Sequence, residues 1–170
     1  MSTRLDGHVR PTRFDYPVRV YYEDTDAGGV VYFANYLRFM ERARTEWLRR
    51  LGFDQSELRE RQGILFVVKG VEATYLKPAR LDDALTVQSR LLQPGRVVLR
   101  FEQTVERGSE TLVRATSEVA CVGAASLRPC RIPGAVMQAL QSVADASPPE
   151  RPTPGVHDRA VEPVISSDPT

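Results

Sequence analysis

Apolar and polar positions follow two rhythms along this chain. Over residues 17–23, Val18, Val20 and Tyr22 alternate with Arg19, Tyr21 and Glu23, which predicts a strand. A loop of Asp24-Thr25-Asp26-Ala27-Gly28-Gly29 follows, and there the rhythm changes. Phe33, Tyr36, Leu37, Met40, Ala43, Trp47, Leu48 and Leu51 recur at steps of three and four, predicting a helix of about five turns with one wide apolar stripe. Glu46 precedes Arg49 and Arg50 on its polar face, and Gly52 stands where a left-handed C-terminal cap would end it. Such a stripe needs a flat apolar surface to lie against.

Period two then returns and supplies one. Val71, Ala73 and Tyr75 alternate with polar residues, as do Leu85, Val87, Ser89 and Leu91. After Pro94-Gly95 come Val97, Leu99, Phe101, Gln103 and Val105, and after Gly108-Ser109 come Val113, Ala115, Ser117, Val119 and Cys121. Three long strands joined by short turns predict an antiparallel meander. A short helix over residues 134–144, carrying Val136, Leu140 and Val143, closes the pattern. Strand, long helix and then a run of antiparallel strands is an α+β order, with the sheet curled around one helix.

Composition sets the limits of this domain. From residue 147 onward the periodic pattern stops, and residues 147–170 hold six of the twelve prolines, so they read as a disordered tail. Residues 1–13 read as a loose arm, leaving one domain at 14–146. A net charge of +1 gives no general attraction to nucleic acid or to an anionic membrane. No apolar run is long enough to span a bilayer, and the first residues lack a secretory apolar core. Cys121 and Cys130 form neither a disulfide framework nor a metal spacing, so a cytoplasmic setting is expected.

The loop before the long helix is where chemistry is expected. It brings two carboxylates and two glycines to a helix N-terminus, whose first N–H groups have no partner inside the helix and carry the positive end of the dipole. Such groups can hold a developing oxyanion, and a nearby carboxylate can attack an acyl carbon or activate water. Gly28 and Gly29 would let a substrate approach the backbone. An aspartate at a helix start can equally be a cap.

Residues 22–36, with Glu41-Arg42-Ala43-Arg44 after them, resemble the hotdog-fold acyl-CoA thioesterases of the 4-hydroxybenzoyl-CoA thioesterase type. The likeness is greatest to the Tol–Pal-associated acyl-CoA thioesterase branch, and it continues through Phe66-Val67-Val68, Tyr75 and residues 78–83 to about Pro133. The resemblance implies that Asp26 is the catalytic carboxylate and that the backbone N–H of Phe33 is the oxyanion donor. Asp24 is expected to order the loop. The resemblance also places Gly29, Tyr36, Phe66, Val67 and Arg96 at the substrate, with Phe66 and Val67 toward the acyl group and Arg96 near the CoA phosphates. Where relatives often carry a histidine, this chain has Phe33, which offers only its backbone donor.

Acyl-CoA is then the substrate, without metal or organic cofactor. A homodimer or homotetramer is expected, with acyl carrier protein or Tol–Pal-linked proteins as candidate partners. Histidine-dependent machinery is disfavoured because His8 and His157 fall in the arm and tail. No P-loop, GxGxxG or clustered metal-ligand motif is present. The alternative from another class is a non-catalytic module that binds acyl carriers or scaffolds envelope assembly.

Overall fold

The computed structural model describes residues 12–144. Apart from Thr12 and Arg13, the arm at 1–13 and the tail at 147–170 lie outside the described residues, as do His8 and His157. Five strands form one antiparallel sheet: β1 (Arg13–Arg19), β2 (Ile64–Tyr75), β3 (Ala84–Leu91), β4 (Val98–Arg107) and β5 (Glu110–Gly123). Their spatial order is β1-β3-β4-β5-β2, so the predicted meander forms the centre, and β1 and β2 are the edges. Three helices accompany the sheet: α1 (Phe33–Arg50), α2 (Gln55–Gln62) and α3 (Gly134–Gln141).

The opening strand starts and ends earlier than its alternation predicts. Arg13 to Arg19 pair with β3, so Arg13 belongs to the sheet and not to the arm. Pro17 is tolerated because β1 is an edge strand. Tyr22, expected inward, is exposed in a 3-10 turn of Tyr22–Asp24. Beyond Arg19, Val20 exchanges backbone bonds with Asp82 and Asp83, and the chain then turns away. A second departure is α2, which has no apolar periodicity and buries only Leu58. Its signals are local ones. Asp54 accepts from the Ser56 N–H at 2.8 Å at one end, and Gly63 closes the other at φ 64°.

Helix α1 lies across the sheet. Phe39, Met40 and Ala43 are fully buried, with Tyr36, Trp47 and Leu48 beside them. The apolar stripe is therefore rotated from the predicted one: Phe39 joins it, and Phe33 leaves it with 57% of its surface exposed. The core falls into two clusters along α1. One gathers Val20, Tyr36, Phe39, Met40, Leu85, Val87, Val105 and Val113 toward the helix N-terminus. The other gathers Trp47, Leu48, Leu91, Phe101, Val119, Val136 and Leu140 toward its C-terminus.

A buried polar belt lies within this interior. Gln103 donates to the Met40 carbonyl at 3.0 Å and to Ser89 Oγ at 2.9 Å. Its Oε1 accepts from Arg44 at 2.6 Å, and Ser117 is buried beside it. These bonds offset the cost of placing polar groups in a core. Because Phe39 is wholly buried between α1 and β3–β4 side chains, Phe39→Ala should cost about 3–5 kcal/mol of unfolding free energy, measured by urea denaturation.

Candidate active site

The loop between the 3-10 turn and α1 is built by its two aspartates, in different ways. Asp24 is buried, and its Oδ2 accepts the Tyr21 N–H at 2.8 Å. Its carbonyl accepts from the Tyr32 N–H and from Asn35 Nδ2, both at 2.9 Å, tying the loop to the first turn of α1. Asp26 is exposed, and its Oδ1 accepts the Gly28 N–H at 2.8 Å in a tight local turn. Oδ2 has no hydrogen bond among the described residues. A side chain at Gly28 would crowd Asp26 Oδ1, since its Cβ would lie 3.1 Å away. Gly29 adopts φ 72°, a conformation that favours glycine.

Most amides leading into α1 are already used. Asp26 N–H donates to Val30, Val31 N–H to Ala79, Tyr32 N–H to Asp24 and Asn35 N–H to Tyr32. No side chain caps the helix. The N–H groups of Phe33 and Ala34 therefore remain as donors without an acceptor among the described residues. Aromatic rings cluster at this turn. Phe33 contacts Tyr32 at 4.7 Å and Tyr75 at 6.2 Å between centroids, and the Tyr75 hydroxyl donates to the Phe33 carbonyl at 3.3 Å. Tyr36 is buried, its hydroxyl accepting the Ala79 N–H at 2.8 Å. Burial raises the pKa of both Tyr36 and Tyr75 above the ordinary tyrosine value, so both stay protonated donors at neutral pH.

Within one chain the expected site residues separate into two groups. Asp26, Gly29, Phe33 and Tyr36 gather at the N-terminus of α1, whereas Phe66, Val67 and Arg96 stand at the other end of the sheet. Tyr75 reaches the helix N-terminus, and Phe66 lies nine residues earlier on β2, roughly 30 Å away along a strand. Phe66 lines a cavity of about 80 Å³ with Trp47, Leu48, Phe101, Leu140 and Val143. Val67 points to the opposite face and is exposed. Arg96 follows the far end of β3, and its carbonyl accepts the Ile132 N–H. A second cavity, about 240 Å³, lies between α1 and β2 and is lined by Leu37, Met40, Glu41, Arg44, Val68 and Val71. Asp26 borders neither cavity.

Two further side chains bear on this region. Tyr75, which the sequence offers as part of the alternation at Val71, Ala73 and Tyr75 and of the family likeness, supports the first turn of α1 through its hydroxyl. Arg44 lines both cavities, packs over the Phe101 ring at 5.9 Å and has no carboxylate within ion-pair distance among the described residues. Burial lowers its pKa from the usual arginine value. Its signal was present in the pattern: Ser89, Gln103 and Ser117 occupy inward positions on three adjacent strands, which calls for a polar partner from the covering helix.

An antiparallel sheet crossed by one long helix, with a carboxylate loop feeding that helix, defines the hotdog class of thioesterase folds. The chain belongs to the thioesterase-like superfamily, whose family model matches residues 20–140. It is 48% identical over 127 residues to the acyl-CoA thioesterase YbgC of Haemophilus influenzae, covering 75% of this chain and 93% of that one. Against the acyl-CoA thioester hydrolase YbgC of Escherichia coli O6:H1 the identity is 43% over 130 residues, covering 76% and 96%. The crystal structure of a probable thioesterase from Bartonella henselae superposes with a TM-score of 0.68 at 37% identity, covering 71% of this chain and 99% of that one.

Asp24 and Asp26 should differ sharply on substitution. Asp24→Ala leaves the Tyr21 N–H without its acceptor, so it should lower stability by about 1–3 kcal/mol in urea denaturation, with the loop losing hydrogen-exchange protection.

Proposed function

We propose that this protein hydrolyses acyl-CoA thioesters, with the Asp26 carboxylate and the Phe33 backbone N–H as the reacting pair. The observation that carries this reading is the exposed Asp26 beside an uncapped helix N-terminus in a chain of this family. The thioester carbonyl would lie against the Phe33 N–H, where the helix dipole and the unpaired amide stabilise negative charge on oxygen as the tetrahedral centre forms. Asp26 either attacks the acyl carbon itself or takes a proton from the attacking water. The CoA sulfur needs no general acid, because a thiol of pKa about 8.5 leaves readily as thiolate. The lack of a side-chain donor at Phe33 leaves the backbone group as the oxyanion contact.

The working unit we infer is a homodimer joined along β2. This strand is a sheet edge twelve residues long, with its outer hydrogen-bonding side unpaired among the described residues and Val68, Val71 and Tyr75 exposed beside it. Antiparallel pairing of two copies about the middle of β2 would set Tyr75 of one copy near Ile64 of the other. The Phe66, Val67 and Arg96 end of one copy would then meet the Asp26 end of its partner, reuniting the two groups of site residues. Glu41 and Arg44 sit one turn apart on the same groove, so a two-fold axis would place opposite charges against each other. An acyl group held by a carrier protein presents the same thioester and is a second source of substrate for this site.

Free-thiol release from short, long and aromatic acyl-CoAs tests the chemistry. Asp26→Asn should reduce kcat by about 100-fold or more, while unfolding free energy stays within about 0.5 kcal/mol of wild type, because the side chain is exposed. Wild-type turnover by the Asn variant would contradict the assignment of Asp26.

A further inference from the structure

Away from the carboxylate loop, the structure brings its two cysteines together. Val122 bridges to Pro129 in antiparallel fashion, and Gly123 N–H donates to the Arg128 carbonyl at 2.9 Å. That register sets Cys121, on β5, directly opposite Cys130 in the segment leading to α3, and the Cys130 N–H donates to the Cys121 carbonyl at 3.0 Å. The two sulfurs are 3.6 Å apart and both are free thiols. Residues opposite each other in an antiparallel pair have Cα atoms about 4.5–5.5 Å apart. That lies inside the roughly 4.4–6.8 Å range that a disulfide spans.

The thiols differ in access. Cys121 is fully buried among Val136, Leu140 and Phe101, and burial pushes its thiol up to about 12, so it is not the group an oxidant meets first. Cys130 is partly exposed. We propose that Cys121 and Cys130 form a reversible dithiol–disulfide site, with Cys130 as the entry thiol and Cys121 as the resolving one. The oxidant is a small disulfide such as oxidised glutathione. The Cys130 thiolate attacks one glutathione sulfur, breaking that S–S bond and releasing one glutathione thiolate. Cys121 then loses its proton to that released base and attacks Cys130 Sγ, expelling the second glutathione as thiolate. Two protein thiols are oxidised to one disulfide, and one glutathione disulfide is reduced to two thiols.

The bridge would fasten the segment that leads into α3 to the sheet. That helix supplies Leu140, with Val143 just beyond it, to the wall of the cavity that Phe66 lines, and Phe66 is the β2 partner of Cys121. Oxidation therefore fixes one wall of that cavity.

The test is incubation of the folded full chain with oxidised glutathione, followed by intact mass and thiol titration. Wild type should lose both thiols and two mass units of hydrogen with no glutathione retained, and dithiothreitol should restore both thiols. Cys121→Ala should stop at one glutathione adduct on Cys130, and Cys130→Ser should remain unmodified while keeping its hydrolytic activity. Hydrogen exchange in residues 130–143 should slow by about tenfold or more on oxidation. Retention of both thiols, a wild type that stops at the glutathione adduct, or unchanged exchange in that segment would each overturn the proposal.

Discussion

The burial of α1 across the sheet is the constraint on which the rest of the molecule depends. Phe39, Met40, Ala43 and Trp47 are buried there, and each large side chain contributes about 1.5–3 kcal/mol when buried. Once that face is fixed, the helix N-terminus is fixed too, and the chain entering it has to turn sharply between β1 and α1. Asp24 stabilises that turn from inside, with Asn35 and Tyr36 clamping the first helical turn to Asp24 and Ala79. Asp26 then stands exposed on the loop that these bonds hold. The same packing that builds the core leaves two amides of α1 without an acceptor among the described residues.

The other consequence of this packing lies at the far side of the sheet. Helix α1 covers β3 and β4 well but leaves the inner face of β2 open, with Val68 at 48% and Val71 at 41% exposure. The groove beside it carries Arg44, a guanidinium held by neutral acceptors, and Glu41, an exposed carboxylate. An apolar edge, an open ladder and adjacent opposite charges suit a second copy of the same surface. On the proposed site assignment, such pairing would bring the Phe66, Val67 and Arg96 end of one copy to the Asp26 end of the other.

Much of this was legible in the sequence because its signals were periodic. The α1 stripe and the alternation of Leu85, Val87, Leu99, Phe101, Val119 and Cys121 are imposed by burial on one face, and burial leaves a repeating trace. The opening strand was misplaced because Phe14 and Tyr16 continue the alternation across Pro17, and the edge position that tolerates a proline is a tertiary property. Helix α2 was missed because caps hold it, with one buried leucine and no stripe. Phe33 was counted into the stripe because spacing alone does not say where a helix stops touching its sheet. The loop itself is legible in its carboxylates and glycines, but which aspartate is buried depends on the amide of Tyr21, a contact made by the fold. The opposition of Cys121 and Cys130 depends on a short bridge after β5 that no spacing rule encodes.

The most direct test is rescue between two defective chains. Asp26→Asn and Phe66→Glu variants would be co-expressed with different tags, their mixed dimers verified by native mass spectrometry, and thioester hydrolysis measured. If each site takes Asp26 from one copy and Phe66 from the other, random pairing makes half the dimers mixed, each with one intact site. Activity should then recover to about a quarter of wild type. Mixed dimers with no more activity than either parent would show that one chain supplies the whole site, and would contradict a site completed across β2.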